Sequence, residues 1–411
     1  MSQRNRPYLS HLFIAAAALL AFAVTSCAVA PTQPTALDSA RVFSQTAFAE
    51  SRQDTTYRIG LNTEVTGTGA QIGDLSIRAA RLAVEEINAA GGVNGVPLAL
   101  VVRDCRSDPA VALQQYQAAL AQDRLVALLG PLKSAYAVGL VPEHQHSLLP
   151  MLIGATNAHL TEQGDTNLFR LRPSDRITGA AMVALAVDDL HAQRVALVHD
   201  ADAFGSGGAE VVTAELTRRG LPLVVRESYL TGTTDFETIA RSVAAADVDT
   251  LLVYGTNSTD VGFLLRGLRY RGVTARIITS PGGASAVTHN VAGDAQDGVY
   301  VAADAFLPVS PNGRRFEARF VERFGLPPDT YITWYYDAIY LLAHALAEAG
   351  PEPSRLAQAL RAAPYQGAQG TYSFDSSGEG LHQVWLVRML GGEATPVGVY
   401  GPSGFLRGGE R

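Results

Sequence analysis

Residues 128–139 read LLGPLKSAYAVG, and Lys133 is the single lysine of the chain, every other strongly basic side chain being an arginine. The stretch follows an apolar run, turns on Gly130 and Pro131, and leads into a helical pattern. Ser134 is well placed to cap that helix. Backbone N–H groups at such a start point outward and favour an anion. A compact ammonium enters a small cleft where a guanidinium does not fit; the plainer alternative is a solvated lysine beside an ordinary helix cap. Three other stretches have types and spacing suited to chemistry. TEVTGTGAQIG sets Gly67, Gly69 and Gly73 ahead of a helix, close to the glycine pattern that admits a pyrophosphate, and Asp104 ends the next strand. LIGATNAHLT puts Gly154, Ala155, Thr156 and Asn157 after a strand, where Thr156 can offer a hydroxyl and an N–H to one ligand. VHDADAFGSGGAEVV places Asp200, Asp202 and Phe204 between a strand and a helix.

Several activities are disfavoured at once. The net charge is -7 and the pI about 5.7, whereas a nucleic-acid partner requires a basic face. A Tyr-x-x-x-Lys pair, which many nicotinamide enzymes with such a glycine loop need, cannot form, because Leu129 stands four before the only lysine. Asp200 and Asp202 without further acids make a poor calcium site. H-E-x-x-H, G-x-S-x-G and P-loop patterns are absent, and His199 and His289 stand alone in unlike contexts. The expectation is a binding protein with no catalytic residues, metal or cofactor.

The elements around these stretches follow one rule. From Tyr57 the chain alternates strand and helix: YRIGLN, SIRAARLAVEEINAAGG, PLALVVRD, PAVALQQYQAALAQ, LVALLG and PMLIGA. The alternation restarts after LFRLRPSD with TGAAMVALAVDDL, RVALVHD, GGAEVVTAELTRRG, PLVVRESY, TLLVYG and RIITS. Such repetition predicts an α/β chain with two doubly wound parallel sheets, and ligands in such sheets sit at the carboxyl ends of the strands. The last third adds two helices, NGRRFEARFVERFG and YITWYYDAIYLLAHALAEAG, then two strands, TYSFD and HQVWLVRML.

The N-terminus carries arginines, an apolar run from Leu12 to Val24, and VTSC ending at Cys27. The run is shorter than the roughly 20 residues that span a bilayer, and it reads as a secretory signal. Val-Thr-Ser-Cys resembles a bacterial lipobox, which implies acylation of Cys27 and a lipid anchor. Residues 28–56 read as a tether, with a short amphipathic helix conceivable near 37–50. Cys105 then has no partner and reads as a buried, inert thiol.

The stretch TGTGAQIGDLSIRAARLAVEEINAAGGVNGVPLALVVRD resembles the opening of the leucine/isoleucine/valine-binding proteins of the type I periplasmic binding fold. ALLGPLKSA, PMLIGATNAHLT, LFRLRPSD, RVALVHDADAFG, NVAGDAQDGVYV and GTYSFDSSGE continue the likeness in order, over residues 57 to 400. The resemblance implies two doubly wound parallel-sheet lobes around an interlobe cleft. One lobe would take 57–176 plus 304–376, the other 177–303 plus 377–411. It implies an exported, lipid-anchored substrate-binding component of an ABC importer on the outer face of a bacterial membrane, delivering a small molecule to a membrane permease. By the same likeness Ser134 holds the ligand carboxylate, and Gly154, Ala155 and Thr156 hold carboxylate and ammonium. Phe204 covers the ligand, and Asn257 borders the cleft. Two positions depart from the family: Gly282 stands where an acid pairs with the ligand ammonium, and Ile72 replaces an aromatic. The expected ligand is a branched-chain or other apolar amino acid. The alternatives are a carboxylate lacking an ammonium or a small amide, with Lys133 in the cleft; Asp202, Asp304 or Glu64 would replace the missing acid if the ligand is an amino acid. A sensor built on the same fold is the competing class.

Overall fold

The computed structural model describes residues 56–408. Cys27, the signal, the tether and the helix expected near 37–50 lie outside the described residues. The first half builds β1 (Tyr57–Thr63), α1 (Ala70–Ala89), β2 (Leu98–Asp104), α2 (Pro109–Gln122), β3 (Ala127–Leu129), α3 (Ser134–His144), β4 (Met151–Ile153) and β5 (Leu168–Arg170). These strands form a sheet in the order β2-β1-β3-β4-β5, parallel throughout. On β1, Ile59 and Leu61 are fully buried. Gly60 between them lets Leu125 and Leu128 close on the other face, since a Cβ there would stand 2.5 Å from Leu128 Cδ1.

The second half builds α4 (Asp175–Ala184), β6 (Val195–Asp200), α5 (Ala203–Arg218), β7 (Val225–Tyr229), α6 (Glu237–Ala245) and β8 (Thr250–Tyr254). It continues with α7 (Ser258–Tyr270), β9 (Arg276–Thr279), α8 (Ala286–Ala292) and β10 (Tyr300–Ala303). The chain then returns to the first lobe through α9 (Pro311–Phe324), α10 (Thr333–Ala349), α11 (Pro353–Ala362), β11 (Tyr365–Gln366) and β12 (Thr371–Tyr372). The reason for the return lies in α10. Trp334, Tyr335, Ile339, Leu342 and Leu346 bury nearly its whole circumference against α1 and β1. Each such side chain contributes about 1.5–3 kcal/mol when removed from water.

The chain ends in β13 (Val384–Leu390), β14 (Glu393–Gly401) and β15 (Gly404–Arg407). The second sheet runs β15-β14-β13-β10-β9-β8-β6-β7. Its strands β6 to β10 are parallel, and β13 to β15 form an antiparallel edge. The parallel strands β6 to β10 are the doubly wound sheet expected, and the antiparallel edge adds to it. Strand β14 contains Pro396, opposite a register shift at Leu386/Val387, an irregularity of the kind that tolerates a proline. TYSFD supplies only the two-residue β12. The two lobes otherwise have the doubly wound architecture expected.

Candidate functional site

Between the lobes lies a cavity of about 60 Å³. The first lobe lines it with Ile72, Leu132, Lys133, Ser134, Arg172 and Tyr331; the second contributes Phe204, Gly255 to Ser258, Pro281 and Gly282. Most of these residues follow the carboxyl ends of β3, β5, β6, β8 and β9, where a doubly wound sheet leaves its backbone open to a ligand.

The α3 start is built differently from the sequence expectation. Lys133, not Ser134, is the cap residue, and no side chain caps the helix. Ser134 is the first helical residue, and its Oγ accepts from the backbone N of Asn157 at 3.2 Å. The hydroxyl thus ties the loop after β3 to the loop after β4. Lys133 Nζ donates to Glu64 Oε1 at 3.0 Å, and the Tyr136 hydroxyl donates to the same oxygen at 2.7 Å. The Lys133 and Glu64 side chains are only 15% and 5% exposed. Lysine at the cavity is therefore charge-balanced, not an uncompensated cation.

The glycine loop exists to make room for that acid. A Cβ on Gly69 would lie 1.9 Å from Glu64 Oε1, and one on Gly73 would lie 1.8 Å from the Glu64 carbonyl oxygen. Asp104 belongs to the same architecture: its Oδ1 accepts from the N–H groups of Val65, Thr66 and Arg106, and its Oδ2 from the Thr66 hydroxyl. Cys105 beside it is a buried free thiol whose pKa burial pushes up to about 11.

Of the residues singled out from sequence, Lys133, Ser134, Phe204, Asn257 and Gly282 line the cavity. Phe204 packs on Tyr254 with ring centroids 4.9 Å apart. Gly154, Ala155 and Thr156 lie behind the wall. Gly154 sits against Trp334, where a Cβ would come within 2.4 Å of the indole. Ala155 is fully buried, and Thr156, 2% exposed, accepts from Asp175 N through its carbonyl at 2.8 Å. Asn157 reaches across instead, donating from Nδ2 to the Ala203 carbonyl of the second lobe at 2.7 Å.

Sequence reasoning missed Arg172 and Tyr331. Arg172 Nε donates to buried Asp304 at 2.5 Å and Nη1 donates to the Gly154 carbonyl at 2.9 Å. Burial raises the Asp304 pKa, and Arg172 opposes that rise. The signal was Arg172 itself, two residues past a strand end. Tyr331 comes from a loop far along the chain and carried none. Ser258, also missed, is buried, and its Oγ makes no hydrogen bond of normal geometry among the described residues.

Asp202 caps α5 by accepting from Phe204 N and Gly205 N, and it takes the Thr256 hydroxyl at 2.8 Å. Two further buried acids tie elements together around the cleft. Tyr254 donates to Asp175 at 2.9 Å, and Ser285 donates to Asp329 at 2.8 Å. Burial pushes both carboxyls up to about 6, against the neighbouring hydroxyls.

Known proteins are similar to this chain in sequence and fold. An amino acid binding protein of Pseudomonas aeruginosa is 29% identical over 325 residues, covering 78% of this chain and 86% of its own. A Leu/Ile/Val-binding protein homolog of Brucella abortus is 28% identical over 327 residues, covering 78% of this chain and 86% of its own. The crystal structure of the branched-chain amino acid transporter substrate-binding protein of Streptococcus pneumoniae with isoleucine superposes with a TM-score of 0.77 at 23% identity, covering 86% of this chain and all of the other. The periplasmic binding protein family model matches residues 56–393. With an interlobe cavity at its strand ends and that match along nearly all its described length, the chain belongs to the periplasmic binding protein family, as an extracytoplasmic solute-binding protein and not an enzyme.

Proposed function

We propose that this protein is the lipid-anchored substrate-binding component of an ABC importer, capturing a small carboxylate-bearing solute by closure of its two lobes. The observation that carries the ligand class is the α3 start: Ser134 and Lys133 face the cavity at a helix N-terminus that no side chain caps and that holds no acid in its first turn. Such a terminus carries about half a positive charge and favours an anion. Ile72, Leu132, Phe204 and Tyr331 offer an apolar wall for the remainder of the solute. The relatives' names support branched-chain amino acids as the first members of that class to test. Ser134 with its helix-start amides holds the carboxylate, Gly154 to Thr156 brace that seat, Phe204 and Asn257 close from the second lobe, and Gly282 leaves space there. The lobes comprise 57–176 plus 304–376 and 177–303 plus 377–411. Acylated Cys27 tethers the protein to the membrane beside its permease.

Calorimetry with tail-matched acids, amino acids and amides tests the carboxylate seat. Binding of one or more carboxylates is expected; binding of amides alone would refute it. Labelling with a fatty acid tests the anchor: the wild type should be tagged and Cys27→Ala should not. A tagged Cys27→Ala would remove the anchor from the proposal.

A further inference from the structure

We infer that the ligand carries a carboxylate and no free ammonium, an inference that rests on the carboxylate seat proposed above. The charged side chains lining the cavity are Lys133 and Arg172, and none of the lining residues is an acid. An amino acid brings a cation as well as an anion. Each carboxylate near the cleft is already engaged by the protein. Glu64 holds Lys133 and Tyr136, and Asp304 holds Arg172. Asp202 caps α5 and takes the Thr256 hydroxyl. Asp260 accepts from Gly232 N at 2.7 Å, and Asp329 from Ser285 at 2.8 Å. None of these acids lines the cavity, and each already shares its charge with a partner in the protein.

An ammonium in this cavity would therefore be taken out of water between two ion pairs and beside a helix N-terminus, with no acid on the cavity wall to pair with it. A carboxylate meets the opposite situation. The α3 N-terminus favours it, and its hydrogen bonds to N–H and O–H groups gain strength from its charge. Ser258 Oγ, buried near the Tyr331 hydroxyl and without a hydrogen bond of normal geometry among the described residues, adds a hydroxyl on the second-lobe wall. Gly282 lies next to it: a Cβ there would meet Ser258 Oγ at 3.4 Å and the Gly255 carbonyl oxygen at 3.7 Å, ordinary contacts that leave room for a side chain.

The test compares three head groups on each of three tails. Isobutyl, isopropyl and benzyl tails are presented as α-amino acid, 2-oxo acid and plain acid, and affinities are read by calorimetry on ligand-free protein. For the tail that fits, one of the ammonium-free acids should bind at least about a hundredfold more tightly than the amino acid, the discrimination expected when a charge is buried unpaired. An amino acid that binds as tightly as its own acids overturns this inference and leaves the proposed function standing. Failure of all nine compounds overturns both. Gly282→Glu supplies the missing counter-charge from a position with space for it. It should shift the ratio toward the amino acid by at least about tenfold. Should that variant fold poorly, Gly282→Asp makes the same comparison. An unchanged ratio in a folded variant overturns the inference.

Discussion

The lone lysine makes the sharpest test of how the site is held together. Lys133→Met removes one partner of a pair whose side chains are 15% and 5% exposed and leaves the Glu64 carboxylate with Tyr136 alone. Breaking a buried pair costs about 3–5 kcal/mol; the retained Tyr136 bond and the partial exposure of the lysine reduce this to about 2–3 kcal/mol. Glu64→Gln leaves the ammonium unpaired at the cavity wall and should cost about 1–3 kcal/mol. With both changes neither charge remains, so the double variant should lose less than the sum, with a coupling of about 1–3 kcal/mol. Urea unfolding of ligand-free protein reads this directly. The two tryptophans, Trp334 and Trp385, lie in different lobe cores, so Trp385→Phe in the background isolates the lobe that carries the pair. Additivity within about 0.5 kcal/mol at constant m-value would show that the two residues do not form the pair, and the account of the glycine loop would fall with it.

Other outcomes follow from the same geometry. Ser134→Ala should weaken carboxylate binding by about tenfold to a hundredfold, the loss of a hydrogen bond to a charged group of about 1.5–3 kcal/mol, with affinity read by calorimetry; unchanged affinity would confine Ser134 to joining two loops. Gly208→Val drives a side chain into the Tyr254 ring, which stands 2.0 Å from where a Cβ would sit, and should destabilise by about 1–3 kcal/mol or more in urea; a neutral change would contradict the packing of α5 on β8. Asp329 has a folded pKa of about 6 against an ordinary 3.8, so the folded state holds its proton longer. Its contribution to stability is full below about pH 4 and lost as pH rises through about 6. Between those limits wild-type stability should fall by about 3 kcal/mol relative to Asp329→Asn, and parallel pH profiles would refute the assignment.

Much of the fold was legible because it rests on local pattern. Apolar runs such as RVALVHD and TLLVYG became fully buried strands, and helices such as α1 buried one face at helical spacing. Strand β10 and the last two strands, β14 and β15, were not read. β14 carries Pro396 and glycines, and a strand half open to water has no continuous apolar run to reveal it. The site was legible in part for a related reason: residues just past strand ends are exposed to the cleft by topology, which picked out Lys133, Ser134 and Phe204, while the family resemblance pointed to Asn257 and Gly282. That rule could not say that Thr156 lies behind the wall, or that Tyr331 reaches the cleft from a loop after α9.

The sequence by itself determined the alternation of strand and helix, the two similar α/β halves and the strand ends at which a ligand would sit, while the class of protein came from its resemblance to a known family. The first three follow from hydrophobic period and turn chemistry, which act over a few residues at a time. Only the tertiary structure decided how the charges are spent. Glu64 and Lys133 are 69 positions apart, and Arg172 and Asp304 are 132 apart. No local rule pairs them. Whether a cation at the cleft is free or balanced depends on which distant carboxylate the folded chain brings within 3 Å of it, because desolvation makes such pairing obligatory only once the groups are buried.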